Sequence, residues 1–374
     1  FYFNSLFFKD FNINTKNSFI ENNYVEYRAS NYKSENKNLV IIYVESLENT
    51  FSDEEIFGED LLFSISNENI NGRSVDKFIE VEGYGFTIAS LIATQCGLPL
   101  KSVGLFNSTS LDVFEDFLPN LKCLSDIFKL NNYHNVFLTS DELKGSGFKN
   151  FLNSHNYDET YGLQELKKLG YKTSKTAWHN KKNWYGGIHD DELLRATLDN
   201  IKKLEKKNSN YFVTVFTLDT HAPEGYLNPK CVTELSKDQE ITLAVKCTVL
   251  ALKNFIKDFN ALKLKNTNLV VLGDHLFMAG SDGFNNEEYF KSKERYIYNK
   301  FISNENKSFN RDYMNFFDLY PSLLEYSGFK IENGRLGLGS SIFSEFKQDL
   351  YLFEDQNFLK KLSGESKFYN KLWQ

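Results

Sequence analysis

Four stretches of this chain carry residue types that could do chemistry together. In the first, Glu82-Gly83-Tyr84-Gly85-Phe86-Thr87-Ile88-Ala89-Ser90-Leu91-Ile92, a glycine-containing loop runs into an apolar helix and delivers one threonine at the join. A Thr at a helix start ordinarily accepts a backbone N–H bond as an N-cap, and a free hydroxyl is a poor nucleophile. Metal coordination lowers its pKa, and a helix N-terminus favours the alkoxide, so Thr87 is a candidate nucleophile if a cation lies beside it. The groups that could hold one are Glu45 and the adjacent Asp274 and His275, with His221 on a further strand end. Two carboxylates, an imidazole and a hydroxyl make a mixed oxygen and nitrogen shell, which suits Mn2+ or Zn2+ better than Ca2+. The same cation and the helix-start N–H groups could hold a phosphoryl oxygen. Singly, each residue has a simpler role: Glu45 as a solvated strand end, His221 as a satisfied loop histidine, the Asp-His pair as a chance neighbour.

The elements that must position these groups are legible as apolar runs of strand length. Residues 38–44 run into Glu45, residues 211–218 into Asp219-Thr220-His221-Ala222-Pro223, and residues 268–272 into Gly273-Asp274-His275. Continuous apolar runs of this length read as buried strands of a parallel sheet, whose C-terminal ends are where such sheets place their ligands. Further strands are expected at 135–139 and 296–302. Helices are expected at 87–94, closed by Cys96-Gly97-Leu98-Pro99, and at 121–131, 148–154, 239–262 and 314–326. Another opens at Asp190-Asp191, with Leu194, Leu198, Ile201 and Leu204 at helical spacing. Its last turns carry Lys202, Lys203, Lys206 and Lys207, which suits the helix dipole better than an anionic-lipid patch. Strands alternating with helices argue for an α/β fold with a mostly parallel sheet covered on both faces. The expected division is an aromatic juxtamembrane segment and polar stalk over 1–37, a catalytic domain over 38–345, and an extension over 346–374 that packs on it.

Composition narrows the function classes. The 374 residues are 16% aromatic with only 5 Pro, which describes a packed globular chain. A formal charge of -7 offers no basic footprint for nucleic acid. Apolar runs such as 39–44 and 212–216 fall far short of the about 20 residues that a membrane helix needs. The chain starts at Phe1, without an initiator Met and without a signal peptide, so a preceding portion is expected. Four cysteines, Cys96, Cys123, Cys231 and Cys247, show no Cys-x-x-Cys spacing, which disfavours a zinc ribbon or a thioredoxin-type site. An even count fits two disulfides in an oxidising compartment, and of the three connectivities the sequence neighbours Cys96-Cys123 and Cys231-Cys247 are preferred. Four buried thiols remain the alternative.

Taken together, Glu45-Ser46-Leu47-Glu48, Phe86-Thr87-Ile88-Ala89-Ser90, Gln95-Cys96-Gly97-Leu98-Pro99, Asp219-Thr220-His221-Ala222-Pro223 and Gly273-Asp274-His275 resemble the ordered motifs of the phosphoglycerol transferase I branch. That branch lies among the lipoteichoic acid synthase-like enzymes of the alkaline phosphatase superfamily. The likeness extends over roughly residues 38–343 and includes Ser154-His155-Asn156-Tyr157-Asp158, Tyr161-Gly162, Leu336-Gly337-Leu338-Gly339 and all four cysteines. The resemblance implies an alkaline phosphatase-like three-layer sandwich. It implies Thr87 as covalent nucleophile, and Glu45, Thr87, Asp274 and His275 around one divalent metal, Mn2+ first, with Zn2+ or Mg2+ as alternatives. His221 would contact the transferred phosphate or help the leaving group, and the cysteines would pair as two disulfides.

The same resemblance implies a phosphatidylglycerol donor, a glycan acceptor, and a periplasmic site at the bacterial inner membrane, reached through a membrane segment outside this chain. One motif departs from the family pattern. A Trp-Gly segment usually precedes the acidic helix start, whereas this chain reads Trp184-Tyr185-Gly186-Gly187-Ile188-His189-Asp190-Asp191. Trp184 or His189 is then the expected headgroup contact. A phosphoethanolamine transferase is the alternative activity, and a glycan-binding relative without catalysis the alternative class. A sulfatase activity is disfavoured, because the Thr87 region lacks the Cys/Ser-x-Pro-x-Arg setting from which formylglycine is made.

Overall fold

Along residues 38–44 the side chains alternate between two cores. Leu39, Ile41 and Tyr43 belong to one hydrophobic cluster and Val40, Ile42 and Val44 to another, because successive residues of a strand face opposite sides of its sheet. A strand buried on both faces belongs in the middle of a sheet. The computed structural model describes residues 19–28, 37–67, 70–81, 85–101, 115–144, 147–175, 187–231, 240–278, 294–305, 307–345 and 356–374.

Its strands include β1 (Asn38–Val44), β2 (Lys77–Ile79), β3 (His134–Thr139), β4 (Glu159–Tyr161), β5 (Tyr211–Phe216), β6 (Thr267–Gly273), β7 (Asn299–Ile302) and β8 (Tyr313–Asn315), with a short antiparallel pair at Arg335–Leu336 and Gly339–Ser340. Six of them form the central sheet in the order β4-β3-β5-β1-β6-β7. All its neighbours pair in parallel except β7, which runs antiparallel to β6 at one edge. β2 and β8 pair in parallel outside it.

The helices are α1 (Thr87–Cys96), α2 (Leu124–Leu130), α3 (Phe148–Ser154), α4 (Leu163–Lys168), α5 (Asp190–Lys207), α6 (Glu240–Ala261) and α7 (Phe316–Tyr326). Apolar residues of α1, α2, α3 and α7 lie in the Leu39 cluster, and those of α4, α5 and α6 in the Val40 cluster. Helices therefore cover both faces, and the molecule is a three-layer α/β sandwich.

Several boundaries differ from expectation: β7 starts at Asn299 and not 296, α2 starts at Leu124 and not 121, and two further ones differ for local reasons. β5 ends at Phe216 because the next residues leave the ladder: Thr217 Oγ1 accepts from Glu45 N at 3.2 Å, and Asp190 accepts from Leu218 N at 3.0 Å. α7 starts at Phe316 because residues 313–315 pair with β2, and the Asn315 side chain then caps the helix on Phe317 N at 2.9 Å. Both disulfides are present as Cys96–Cys123, joining the end of α1 to the start of α2, and Cys231–Cys247, tying the loop after His221 to α6.

Within the segment expected as a polar stalk, residues 19–28 instead dock on the domain. Ile20 enters the Leu39 cluster and Tyr24 donates to the Cys96 carbonyl at 3.1 Å. The aromatic stretch 1–11 lies outside the described residues. At the other end, Gln356–Ser363 and Lys367–Lys371 cover that docked piece, with Phe358 edge-on to Phe19 and Phe368 N donating to Glu21. No helix of the described residues is long and apolar enough to cross a membrane.

Candidate active site

β1 and β6 are adjacent and in register, Val44 beside Gly273, so Glu45 and Asp274-His275 leave the sheet side by side at its C-terminal edge. Position 273 admits no side chain: an added Cβ would lie 1.9 Å from the Leu47 carbonyl oxygen. Asp274 Oδ1 accepts from Ser46 N at 2.8 Å and from His275 N at 2.9 Å, which fixes the carboxylate plane. Ser46 Oγ donates to Glu45 Oε1 at 2.7 Å. His275 Nδ1 lies 2.9 Å from the Leu276 carbonyl; a carbonyl only accepts, so Nδ1 carries the proton. The other ring nitrogen, Nε2, points to the carboxylates, 3.3 Å from Glu45 Oε1 and 3.5 Å from Asp274 Oδ2.

One ligand atom each from Glu45, Asp274 and His275 lie within 4.8 Å of one another, all buried. Asp274 Oδ2 is buried without a hydrogen-bond partner, an arrangement that is expensive for a carboxylate oxygen unless a cation completes it. Burial, with Glu45 close by, pushes the Asp274 carboxyl up to about 7. Burial would also raise Glu45, but the charge and hydrogen bond of His275, and more weakly the charge of His221, hold it down at about 2. Burial lowers His275 less than Asp274 and Glu45 raise it, so the imidazole stays well above its ordinary value. The cluster thus holds two carboxylates against one imidazole, with an oriented Nε2 and an unpartnered oxygen, and this donor set fits a single divalent cation of the Mn2+ or Zn2+ kind.

Thr87 comes to the same edge on α1. Phe86, extended at φ -151 and ψ 152, takes the N-cap position and no side chain caps the helix. The Thr87 hydroxyl is therefore in the first helical turn and is not used as a cap. No acidic residue sits in that turn either, which leaves a helix N-terminus suited to an anion. Ser90 Oγ donates to the Asp274 carbonyl at 2.6 Å. Residues three apart share a helix face, so this bond turns the Thr87 face of α1 toward the end of β6.

His221 sits in the loop after β5, with Nδ1 2.7 Å from the Ala222 carbonyl, which places the proton on Nδ1. His189 is buried at the start of α5, its Nδ1 2.9 Å from Asp219 Oδ1. Behind it, Asp190 accepts from Leu218 N and from Thr248 Oγ1 at 2.7 Å, and burial with Asp219 nearby pushes its carboxyl up to about 8. These bonds lock the His221 loop to α5 and α6. Trp184 lies outside the described residues.

A second histidine cluster is structural. His155 bridges Asp126 Oδ2 and the Phe117 carbonyl, each at 2.9 Å, and the neighbouring Cys123 is committed to its disulfide. Ser46, Glu48, Ser90 and Asp219 stand in the quoted motifs without a role of their own, and Arg295 was passed over. Only Ser90 carried a usable signal, its i+3 spacing from Thr87. The others are single polar residues in loops, which become partners only through the fold.

Comparison with known proteins agrees with this fold. Residues 37–329 match the protein-family model described as Sulfatase, and the chain belongs to that family. It is similar to phosphoglycerol transferase I of Escherichia coli O6:K15:H31, at 32% identity over 246 residues that cover 64% of this chain and 31% of the relative. The chain thus spans about a third of the length of the curated relatives it matches. Among solved structures, the lipoteichoic acid synthase LtaP from Listeria monocytogenes superposes with a TM-score of 0.66 at 15% identity, over 83% of this chain and 76% of that one. The Streptococcus pyogenes phosphoglycerol transferase GacH, solved with sn-glycerol-1-phosphate, gives 0.52 at 14% identity, over 83% and 78%. At these identities the two structures support the fold.

Proposed function

We propose that this chain is the catalytic domain of a metal-dependent phosphoglycerol transferase that moves glycerol phosphate from phosphatidylglycerol to a glycan hydroxyl through a covalent Thr87 intermediate. The observation that carries the reading is the Ser90 bond to Asp274, which sets the uncapped start of α1 against the Glu45, Asp274 and His275 cluster. The relatives' name supplies the transferred group.

In the first half-reaction Thr87 reacts as the alkoxide, its hydroxyl proton released to water beforehand: Oγ bonds to phosphorus and the bond from phosphorus to the diacylglycerol oxygen breaks. His221, its Nδ1–H fixed on Ala222, gives the Nε2 proton to that leaving oxygen. In the second half an acceptor hydroxyl passes its proton to His221 Nε2 as its oxygen displaces Thr87 Oγ. The N–H groups of the first turn of α1 bind the phosphoryl oxygens throughout. A divalent cation held by Glu45, Asp274 and His275 would lower the pKa of the Thr87 hydroxyl and offset charge on the phosphoryl group. We assign the donor headgroup to the Trp184 to His189 segment and the working place to the periplasmic face of the inner membrane, where the two disulfides would persist.

The test is mass spectrometry of the intact protein after exposure to phosphatidylglycerol. A phosphoglycerol adduct is expected on the wild type and none on Thr87→Ala, whose turnover falls by about 10³-fold or more. An adduct from phosphatidylethanolamine instead would reassign the headgroup. Full turnover in Thr87→Ala would overturn the mechanism.

A further inference from the structure

One half-buried carboxylate outside the ligand set, Glu80, touches both halves of the site. β2 is held beside the main sheet by its pairing with β8 and by Ile297 N donating to the Phe78 carbonyl at 2.9 Å, and Glu80 directly follows its last residue, Ile79. Glu80 Oε2 accepts from Leu276 N at 2.7 Å. The carbonyl of that same Leu276 receives the Nδ1 proton of His275. Glu80 thereby fixes the residue that orients the imidazole.

The next backbone N–H, of Phe277, is also taken by a carboxylate, Glu48 Oε2 at 2.8 Å, itself gripped by Arg295. Two acids therefore pin successive peptides of the loop that follows Asp274-His275. The opposite oxygen of Glu80 lies against the approach to the nucleophile. A Cβ added at Gly85, two residues before Thr87, would sit 2.3 Å from Glu80 Oε1 and 2.6 Å from Oε2.

We propose that Glu80 is a positioning residue, which sets the His275 ring through Leu276 and holds the Thr87 approach at contact distance from the His275 loop, with Gly85 bare so that its carboxylate fits. The proposal rests on the metal reading given above. It acts through Leu276 and not on the substrate, so its first readout is cation affinity without turnover.

The experiment is calorimetric titration of Mn2+ into the whole chain, with circular dichroism to verify folding and steady-state kinetics alongside. Loss of an outer partner of a ligating histidine typically costs 10- to 100-fold in metal affinity, and a weakening of about 10-fold or more is expected for Glu80→Ala. Glu80→Gln keeps an oxygen that can accept from Leu276 N and should recover most of the affinity. Gly85→Ala should mimic Glu80→Ala, because the new methyl displaces the carboxylate.

In the Glu80→Ala background the added methyl at 85 no longer meets a carboxylate, so the double variant should be no worse than Glu80→Ala alone. At saturating Mn2+ the defect should remain in kcat more than in KM. Unchanged Mn2+ affinity in Glu80→Ala, or penalties that simply multiply in the double variant, would overturn the proposal while leaving the metal site standing. A wild-type chain that takes up no Mn2+ would remove the metal reading and this proposal with it. If Glu80→Ala does not fold, the comparison of Glu80→Gln with Gly85→Ala decides the matter: equal affinities in both would overturn it.

Discussion

Asp126 shows how residue-level chemistry holds the fold together away from the site. Burial opposes its ionisation, but the hydrogen bond and charge of His155, with the Cys123 N–H and Asn156, hold its carboxyl below the ordinary 3.8. A carboxyl lowered by folding contributes stability that is fully present above the unfolded value of about 3.9 and is lost as pH falls through the lower folded value. Asp126→Asn should therefore be destabilised relative to wild type at pH 7, by about 1–3 kcal/mol as for a buried charged hydrogen bond. The gap should narrow below about pH 4, and denaturant melts from pH 7 to 3 would check it. A constant gap would mean that the Asp126 charge contributes nothing. At this scale Glu45, Thr87, Asp274 and His275 could be picked out because each ends a strand or opens a helix. Glu80 and Asp219 were given no role, since nothing in the neighbouring sequence says that Leu276 or His189 arrives beside them in the fold.

The elements that carry the chemistry differ in how they are held. β1 and β6 are locked by the sheet ladder, and α1 by apolar packing and Ser90. The loop bearing His221 has no ladder, and is fastened by Asp190 and Asp219 on one side and by Cys231–Cys247 on the other. Replacing both Cys231 and Cys247 by Ser should cost about 2–4 kcal/mol of stability. It should lower kcat several-fold while leaving Mn2+ affinity unchanged, because the ligands sit on β1 and β6. Equal losses in kcat and Mn2+ affinity would show that the disulfide supports the whole edge. Strands and helices were mostly legible from apolar runs. The missed β2, β4 and β8 are three residues each, too short for periodicity, and β8 stands where the helical pattern of 314–326 is continuous in sequence but Asn315 caps it.

For the whole molecule, the alternation of strands and helices was enough to expect a mostly parallel sheet with two covered faces. What composition hid was closure of the chain on itself. Residues 19–28 are Asn-rich neighbours of a polar stretch, yet Ile20 and Tyr24 anchor them, and Phe358, Leu362, Tyr369 and Leu372 of the last nineteen residues bury themselves over the same face. A fully buried side chain of this kind contributes about 1.5–3 kcal/mol. Removing residues 356–374 should therefore lower the melting temperature by about 5 °C or more, with Mn2+ affinity retained, since the ligand strands lie elsewhere. An unchanged melting temperature would show that this segment only rests on the surface.

The bare Gly273 also bears on which ions the protein can tell apart. With the Leu47 carbonyl against its Cα, the β6 end that carries Asp274 and His275 already sits as near to the β1 end as two backbones allow, and both ends are clamped into a ladder. Such a seat has little freedom to widen or to recruit further oxygens, whereas Ca2+ takes 6–8 oxygen ligands at 2.3–2.6 Å. The protein should accordingly discriminate by ionic size and coordination number, and a large excess of Ca2+ should fail to displace bound Mn2+ in equilibrium dialysis. Ready exchange would mean that the strand ends part more easily than their packing suggests.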